Sequence, residues 1–101
     1  MLRGDLAAIP GKQATILRVE LPGGWIGERH YHTGDVFVYV LEGEFAVEVD
    51  GESRKTFGPG DVYHETVGKV MQAHNTRTTQ TTGLILFQIG NKDEPLIIKA
   101  E

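Results

Sequence analysis

The clearest pattern along the chain is an alternation of apolar and polar residues with a period of two. In residues 13–21, Leu17, Val19 and Leu21 fall on one side, and residues 44–50 alternate in the same way. Because successive side chains of a strand point to opposite faces, each stretch predicts a strand with one buried face. Residues 36–41 are apolar without alternation, which predicts a strand that is covered on both faces.

Glycine and proline turns separate these stretches from further short strands. Asp50-Gly51 is a favoured two-residue hairpin turn. The pattern predicts additional strands over residues 25–32, 52–57, 62–67, 70–75, 83–89 and 95–99, and an exposed polar loop over residues 76–82. No stretch has the apolar period of a helix over three turns. The prediction is an all-β fold, a small jelly-roll β-barrel that forms a single domain over residues 1–101, with its core at residues 13–90.

Composition and charge exclude several classes of function. The formal net charge is −4, so no basic stripe is available to neutralise nucleic-acid phosphates. The chain has no cysteine, and its single serine, Ser53, lies just after the predicted turn, which argues against a Ser-His-Asp site. No apolar run approaches the roughly 20 residues that span a membrane. We therefore expect a cytoplasmic protein with neither nucleic-acid nor membrane partners.

The candidate chemistry centres on two histidines with one residue between them. If the backbone is extended at His30, the imidazoles of His30 and His32 project to the same side. Two neighbouring imidazoles are a natural start for a divalent metal site. The alternative is a pair of solvated histidines at the end of a strand.

The surroundings of these histidines resemble the first motif of the cupin superfamily. Five residues separate Gly24 from residues 30–32, Gly43 follows at the family spacing, and residues 39–44 look like the family's most recognisable phrase. The resemblance covers most of residues 13–90. It implies an RmlC-like β-barrel in which three histidines and one glutamate hold a divalent metal.

The second cupin motif and the metal ligands are matched only in part. Gly60-Asp61 resembles the motif's turn, and Asn75 its asparagine. Aligned on these motifs, Val36 stands where the family has its metal-binding glutamate, and Met71 stands where it has its third histidine. The resemblance therefore transfers only two of the four ligands.

Three interpretations of the site remain open. In the first, the thioether of Met71 joins His30 and His32, which would favour copper(I) and accept nickel or zinc more weakly. In the second, harder ligands complete a site for Zn, Ni, Fe, Mn or Cu. The candidates for such a ligand are Asp35, His64, Glu65 and His74. Strict alternation places His74 on the face opposite Met71, and lets only one of His64 and Glu65 face inward. In the third, the site holds no metal and Met71 is a core residue.

Three functions follow from these interpretations. The first is a small-molecule-binding protein with an incomplete divalent-metal site at His30 and His32. Its ligand lies at the barrel mouth, with Trp25, Val36, Tyr39 and Tyr63 as candidate pocket residues. The second is a metal-dependent enzyme, such as a dioxygenase or an isomerase, with Glu65 as candidate catalytic base. The third is a structural or interaction protein. By analogy with small cupins we expect a homodimer, with residues 1–12 and 96–98 as candidate edges.

Overall fold

The structure, a computed structural model, describes residues 2–100, which form ten strands. The strands are β1 (Leu2–Asp5), β2 (Lys12–Leu21), β3 (His30–His32), β4 (Asp35–Glu42), β5 (Phe45–Val49), β6 (Lys55–Phe57), β7 (Val62–Glu65), β8 (Met71–His74), β9 (Thr82–Asn91) and β10 (Ile97–Lys99). Over the described part of the chain, no helix is long and apolar enough to cross a membrane.

The strands form two five-stranded sheets in which every pair is antiparallel. The first sheet has the order β1-β2-β9-β4-β7 and the second the order β10-β3-β8-β5-β6. Consecutive strands mostly lie in different sheets, which is the arrangement of a jelly roll. The predicted all-β jelly-roll fold is confirmed.

Both sheets contribute their inner faces to one hydrophobic core. The core side chains are Leu21, Val36, Val38, Val40, Phe45, Val47, Val49, Met71 and Leu84. The faces predicted from the alternation in residues 13–21 and 44–50 are therefore confirmed. The prediction that residues 36–41 are covered on both faces is wrong, because Tyr39 is 43% exposed on the outer face. On that face Phe37 packs against the rings of His64 and Phe87 in the neighbouring strands instead of under a further layer.

Two local predictions need correction. Glu52 donates a backbone hydrogen bond to the Val49 carbonyl around Asp50-Gly51, so the predicted turn is present. However, pairing with β6 begins only at Val47 and Lys55, so the turn does not continue directly into a ladder. The second correction concerns residues 25–32, of which only the last three form a strand.

The two candidate dimer edges pair within their own chain. Strand β1, which the residue pattern does not predict, pairs with β2, and β10 pairs with β3. Both are edge strands, so each has one free side. The homodimer through residues 1–12 and 96–98 stays a prediction, and Met1 of that segment lies outside the described residues.

Asn75 joins the end of β8 to the polar loop that follows it. Its side-chain amide donates to the carbonyls of Leu21, Pro22 and Gln80 at 2.7–3.1 Å, and its side-chain oxygen accepts from the backbone N–H of Arg77. Asn75 is only 2% exposed. A buried amide with four partners can fix this loop against the end of β2.

Candidate metal centre and cavity

His30 and His32 lie on β3 with both side chains directed to the inner face. Their ring centroids are 4.9 Å apart, with an interplanar angle of 78°. Strand β3 lies between β10 and β8 in the second sheet, so its backbone is extended at both histidines. The imidazoles therefore share a face, as the spacing of two residues predicts.

A backbone carbonyl orients each of the two rings. Nδ1 of His30 lies 2.9 Å from the Glu28 carbonyl, and Nδ1 of His32 lies 3.2 Å from the Leu96 carbonyl. Because a carbonyl can only accept, both Nδ1 atoms carry the hydrogen. This assignment leaves Nε2 of each ring as the atom for a metal, in the arrangement that protein metal sites commonly use.

Glu65 brings a carboxylate to these rings from the opposite sheet. Its Oε2 lies 2.6 Å from Nε2 of His32, and both side chains are buried. Ligand atoms of His30, His32 and Glu65 all lie within 4.8 Å of one another. In the β4–β7 ladder Glu65 is directly opposite Val36. The cupin resemblance places the metal-binding glutamate at position 36 on β4, whereas here the carboxylate comes from Glu65 on the neighbouring strand β7.

The residues present fit a divalent cation. Two imidazole nitrogens and one carboxylate oxygen are ligands that zinc and non-haem iron sites use, with further positions open to water or substrate. Nε2 of His32 lies 2.6 Å from Oε2 of Glu65, so the two ligand atoms face the same space. A cation held there would act as a Lewis acid toward an oxygen atom of a bound molecule.

The other candidate ligands lie elsewhere. Asp35 and His64 form an exposed pair on the outer face of the first sheet, 2.9 Å apart. His74 lies on the outer face of the second sheet, 3.6 Å from Glu48. Of the four harder ligands considered, only Glu65 joins the histidines.

Met71 lies next to the histidines but belongs to the hydrophobic core. It is directly opposite His30 in the β3–β8 ladder, so its side chain shares the inner face. It is 1% exposed and packs within the core cluster. A sulfur ligand from Met71 stays a prediction.

The three ligand side chains open into a cavity of about 300 Å³, called here the apolar cavity. Its polar lining consists of His30, His32, Glu65 and Gln88, and the remaining lining residues, which include Trp25 and Val36, are apolar. Tyr39 and Tyr63 do not line it. Tyr39 is on the outer face because its neighbours Val38 and Val40 point inward, and Tyr63 packs against the ring of Phe57.

The negative charge of Glu65 nevertheless affects the phenol of Tyr63. It lies two residues before Glu65 on the same face of β7. Burial raises the pKa of its phenol above the usual value of 10.0, and the negative charges of Glu65 and Glu52 raise this pKa further. The phenol therefore stays neutral at physiological pH.

Three features of this site were not predicted from the sequence. The carbonyls of Glu28 and Leu96 are backbone groups, which no residue type reveals. Ile97 on β10 lines the apolar cavity, although residues 96–98 were expected at a dimer edge. Gln88, on β9, was not singled out because a glutamine within an apolar stretch is a common sequence feature.

The fold and the site together define a small β-barrel with a metal-capable group in the wall of an apolar cavity. The chain belongs to the cupin domain family, whose model matches residues 17–89. No curated protein matches the sequence.

Solved structures share the fold at low sequence identity. DMSP lyase DddQ from Ruegeria pomeroyi is 20% identical with a TM-score of 0.69, over 89% of this chain and 43% of that protein. KdgF from Halomonas sp. is 24% identical with a TM-score of 0.60, over 87% of each chain. An RmlC-like cupin with a double-stranded β-helix fold from Methanocaldococcus jannaschii is 13% identical with a TM-score of 0.71, over 90% of this chain and 91% of that one. The chain spans less than half the length of DddQ.

Proposed function

We propose that this cupin binds a small, mainly apolar molecule in the apolar cavity, next to a divalent metal held by His30, His32 and Glu65. The observation that carries the proposal is the group of three ligand atoms within 4.8 Å of one another. Both rings are already oriented by backbone carbonyls, so the site needs little rearrangement to take a cation. The cavity beside it is large enough for a small organic ligand.

The metal is tested by elemental analysis of the protein as purified, followed by calorimetric titration of the chelator-treated protein with Zn²⁺ and Ni²⁺. We expect one equivalent to bind. Replacing a ligand by His30→Gln or Glu65→Gln should weaken binding at least about tenfold, because even outer hydrogen-bond partners of metal ligands have effects of this size. His64→Gln is the matched control, since His64 also pairs with a carboxylate, but on the surface.

The titration has a clear negative result. If all four proteins bind the metal equally, or if none binds it, the metal part of the proposal is wrong. If His64→Gln loses metal binding and His30→Gln retains it, the metal binds at the surface pair of Asp35 and His64 instead.

A second candidate function is a metal-dependent enzyme. One observation favours it: among the residues that the structure describes, Glu65 is the only acid that lines the apolar cavity. DddQ, which shares the fold, is a lyase. In an enzyme of this kind Glu65 would move a proton of the substrate while the metal polarises an oxygen atom. The two roles of Glu65 can be distinguished by substitution. If Glu65 acts only as a base, Glu65→Gln loses activity and keeps its metal, whereas if Glu65 is a ligand, Glu65→Gln also loses metal.

A further inference from the structure

Gln88 is a buried amide without a partner in residues 2–100. It is 5% exposed, and its side chain makes no hydrogen bond to another described residue. The polar atoms of the Gln88 side chain are not fully enclosed by protein. Within the part of the chain that the structure describes, the only fully enclosed polar side-chain atom without a partner is Nε2 of His74. The Gln88 amide therefore faces open cavity space. An amide that faces cavity space can donate and accept hydrogen bonds with a molecule that enters the cavity.

The position of Gln88 relates it directly to the metal-capable group. On the inner face of the first sheet, Gln88 is opposite Val36, and Val36 is opposite Glu65. Gln88 and Glu65 thus flank one small side chain. Two strand spacings place their Cα atoms about 10 Å apart, and both side chains reach inward from there. A molecule of a few heavy atoms beside the metal-capable group can contact Gln88.

Gln88 also lines a second cavity of about 310 Å³, called here the polar cavity. Thr15, opposite Gln88 in the ladder, is 3% exposed and lines this cavity as well. Arg3 follows Thr15 in the same row, and within residues 2–100 it has no ion pair, whereas Lys92 is paired with Asp5. The polar side chains that line the polar cavity are Arg3, Gln13, Thr15, Gln88, Asn91, Lys92 and Glu94. Glu94 accepts a hydrogen bond from the Asn91 amide, and Lys92 is paired with Asp5, so the amide of Gln88, the hydroxyl of Thr15 and the guanidinium of Arg3 are the donors left for a ligand.

We propose that Gln88 and Arg3 bind the carboxylate of a small monocarboxylic acid whose apolar body lies in the apolar cavity. The amide N–H and the guanidinium both donate to carboxylate oxygens, and charge-assisted hydrogen bonds of this kind are among the strongest in proteins. The hydroxyl of Thr15 can supply a third donor. This inference rests on the proposed function, because it requires the apolar cavity to accept a ligand.

The test uses the fluorescence of Trp25, the only tryptophan of the chain, which lines the apolar cavity. Hexanoate and 1-hexanol have the same apolar body and different head groups. Both are titrated into the full chain in the presence of a chelator, so that no metal binds the carboxylate. We expect hexanoate to bind at least about tenfold more tightly than 1-hexanol, given the strength of hydrogen bonds to a charged group.

Two variants separate the head group from the body. Gln88→Leu should weaken hexanoate binding and so reduce the preference for hexanoate, because Arg3 then holds the carboxylate without the amide, and it should leave 1-hexanol binding unchanged. Arg3→Gln changes an exposed residue, so it should fold normally and weaken hexanoate binding alone. Gln80→Leu, in the exposed loop, is the control and should bind as the wild type does.

The outcomes distinguish this inference from the proposed function. Equal binding of hexanoate to wild type, Gln88→Leu and Arg3→Gln would overturn the assignment of the carboxylate site while leaving the cavity as a ligand site. The same holds if wild type binds 1-hexanol as tightly as hexanoate. If neither compound binds to any of the proteins, the apolar cavity takes no such ligand, and both the inference and the ligand part of the proposed function fail.

Discussion

Nε2 of His32 and Oε2 of Glu65 lie 2.6 Å apart in the interior, across the two sheets. This is a contact between strands that are distant in the sequence, and neither side chain is more than 7% exposed. It joins β3 of one sheet to β7 of the other beside the apolar cavity. The contribution of this buried pair to the free energy of unfolding can be compared with that of the exposed pair of Asp35 and His64.

We expect Glu65→Ala to lower the free energy of unfolding of the metal-free protein by about 2 kcal/mol or more, because it leaves Nε2 of His32 buried without its partner. Asp35→Ala, which breaks the exposed pair with His64, should cost less than about 1 kcal/mol. Urea unfolding with a chelator present measures both. Similar losses in the two variants would mean that burial does not distinguish these pairs.

The position of Met71 opposite His30 predicts a gain of metal affinity. Met71→His places a third imidazole on the same inner face, and three histidines form a stronger site than two. We expect the metal affinity to rise by about tenfold or more, measured by competition with a coloured chelator. Gln72→His, on the outer face of the same strand, should leave the affinity unchanged. A gain in both variants would show that the added histidine binds metal outside the cavity.

The alternation of residues was sufficient to predict which side chains face the core. Leu17, Val19 and Leu21 point inward, and His30 and His32 share a face, because the period of a strand is two wherever the backbone is extended. The same argument allowed either His64 or Glu65 to face inward. It could not choose between them, since the choice depends on the phase of β7, which its half-polar sequence does not reveal.

The alternation of apolar and polar residues does not predict the register between neighbouring strands. Glu65 joins the histidines because it is opposite Val36, and Gln88 faces the site because it is opposite Val36 on the other side. Such pairings connect residues far apart in the chain, and they depend on the packing of both sheets. The prediction of a strand over residues 25–29 is wrong for a local reason. Gly27 lies under the ring of Trp25, which leaves no room for a Cβ atom there, and glycine weakens a strand.

Asn75 should be one of the most sensitive positions outside the cavity. Asn75→Ala removes donors to three carbonyls and the acceptor for the Arg77 N–H, all at the junction of β8 and the polar loop. We expect the free energy of unfolding to fall by about 2–3 kcal/mol, because several buried polar groups lose their partner at once. Asn75→Asp should be at least as damaging, since a carboxylate cannot donate to the three carbonyls. Thermal unfolding of both variants, with the exposed substitution Gln80→Ala as control, measures the effect. Wild-type stability in Asn75→Asp would mean that the donors are not needed.

Tyr63 predicts a loss of stability in alkaline solution. Burial, followed by the charges of Glu65 and Glu52, raises the pKa of its phenol above 10.0 in the folded protein. The unfolded chain therefore releases this proton first, so the contribution of the neutral phenol is fully present below pH 10.0 and is lost as the pH rises through the raised pKa. Tyr63→Phe cannot ionise, and its stability should fall less steeply than that of the wild type above pH 10.0. Urea unfolding over this range, with the difference between the two proteins at neutral pH as the baseline, measures the effect. Glu65→Gln should reduce the difference, because it removes one of the charges that raise the pKa of Tyr63. Parallel curves for wild type and Tyr63→Phe would show that the phenol is as well solvated in the folded protein as in the unfolded chain.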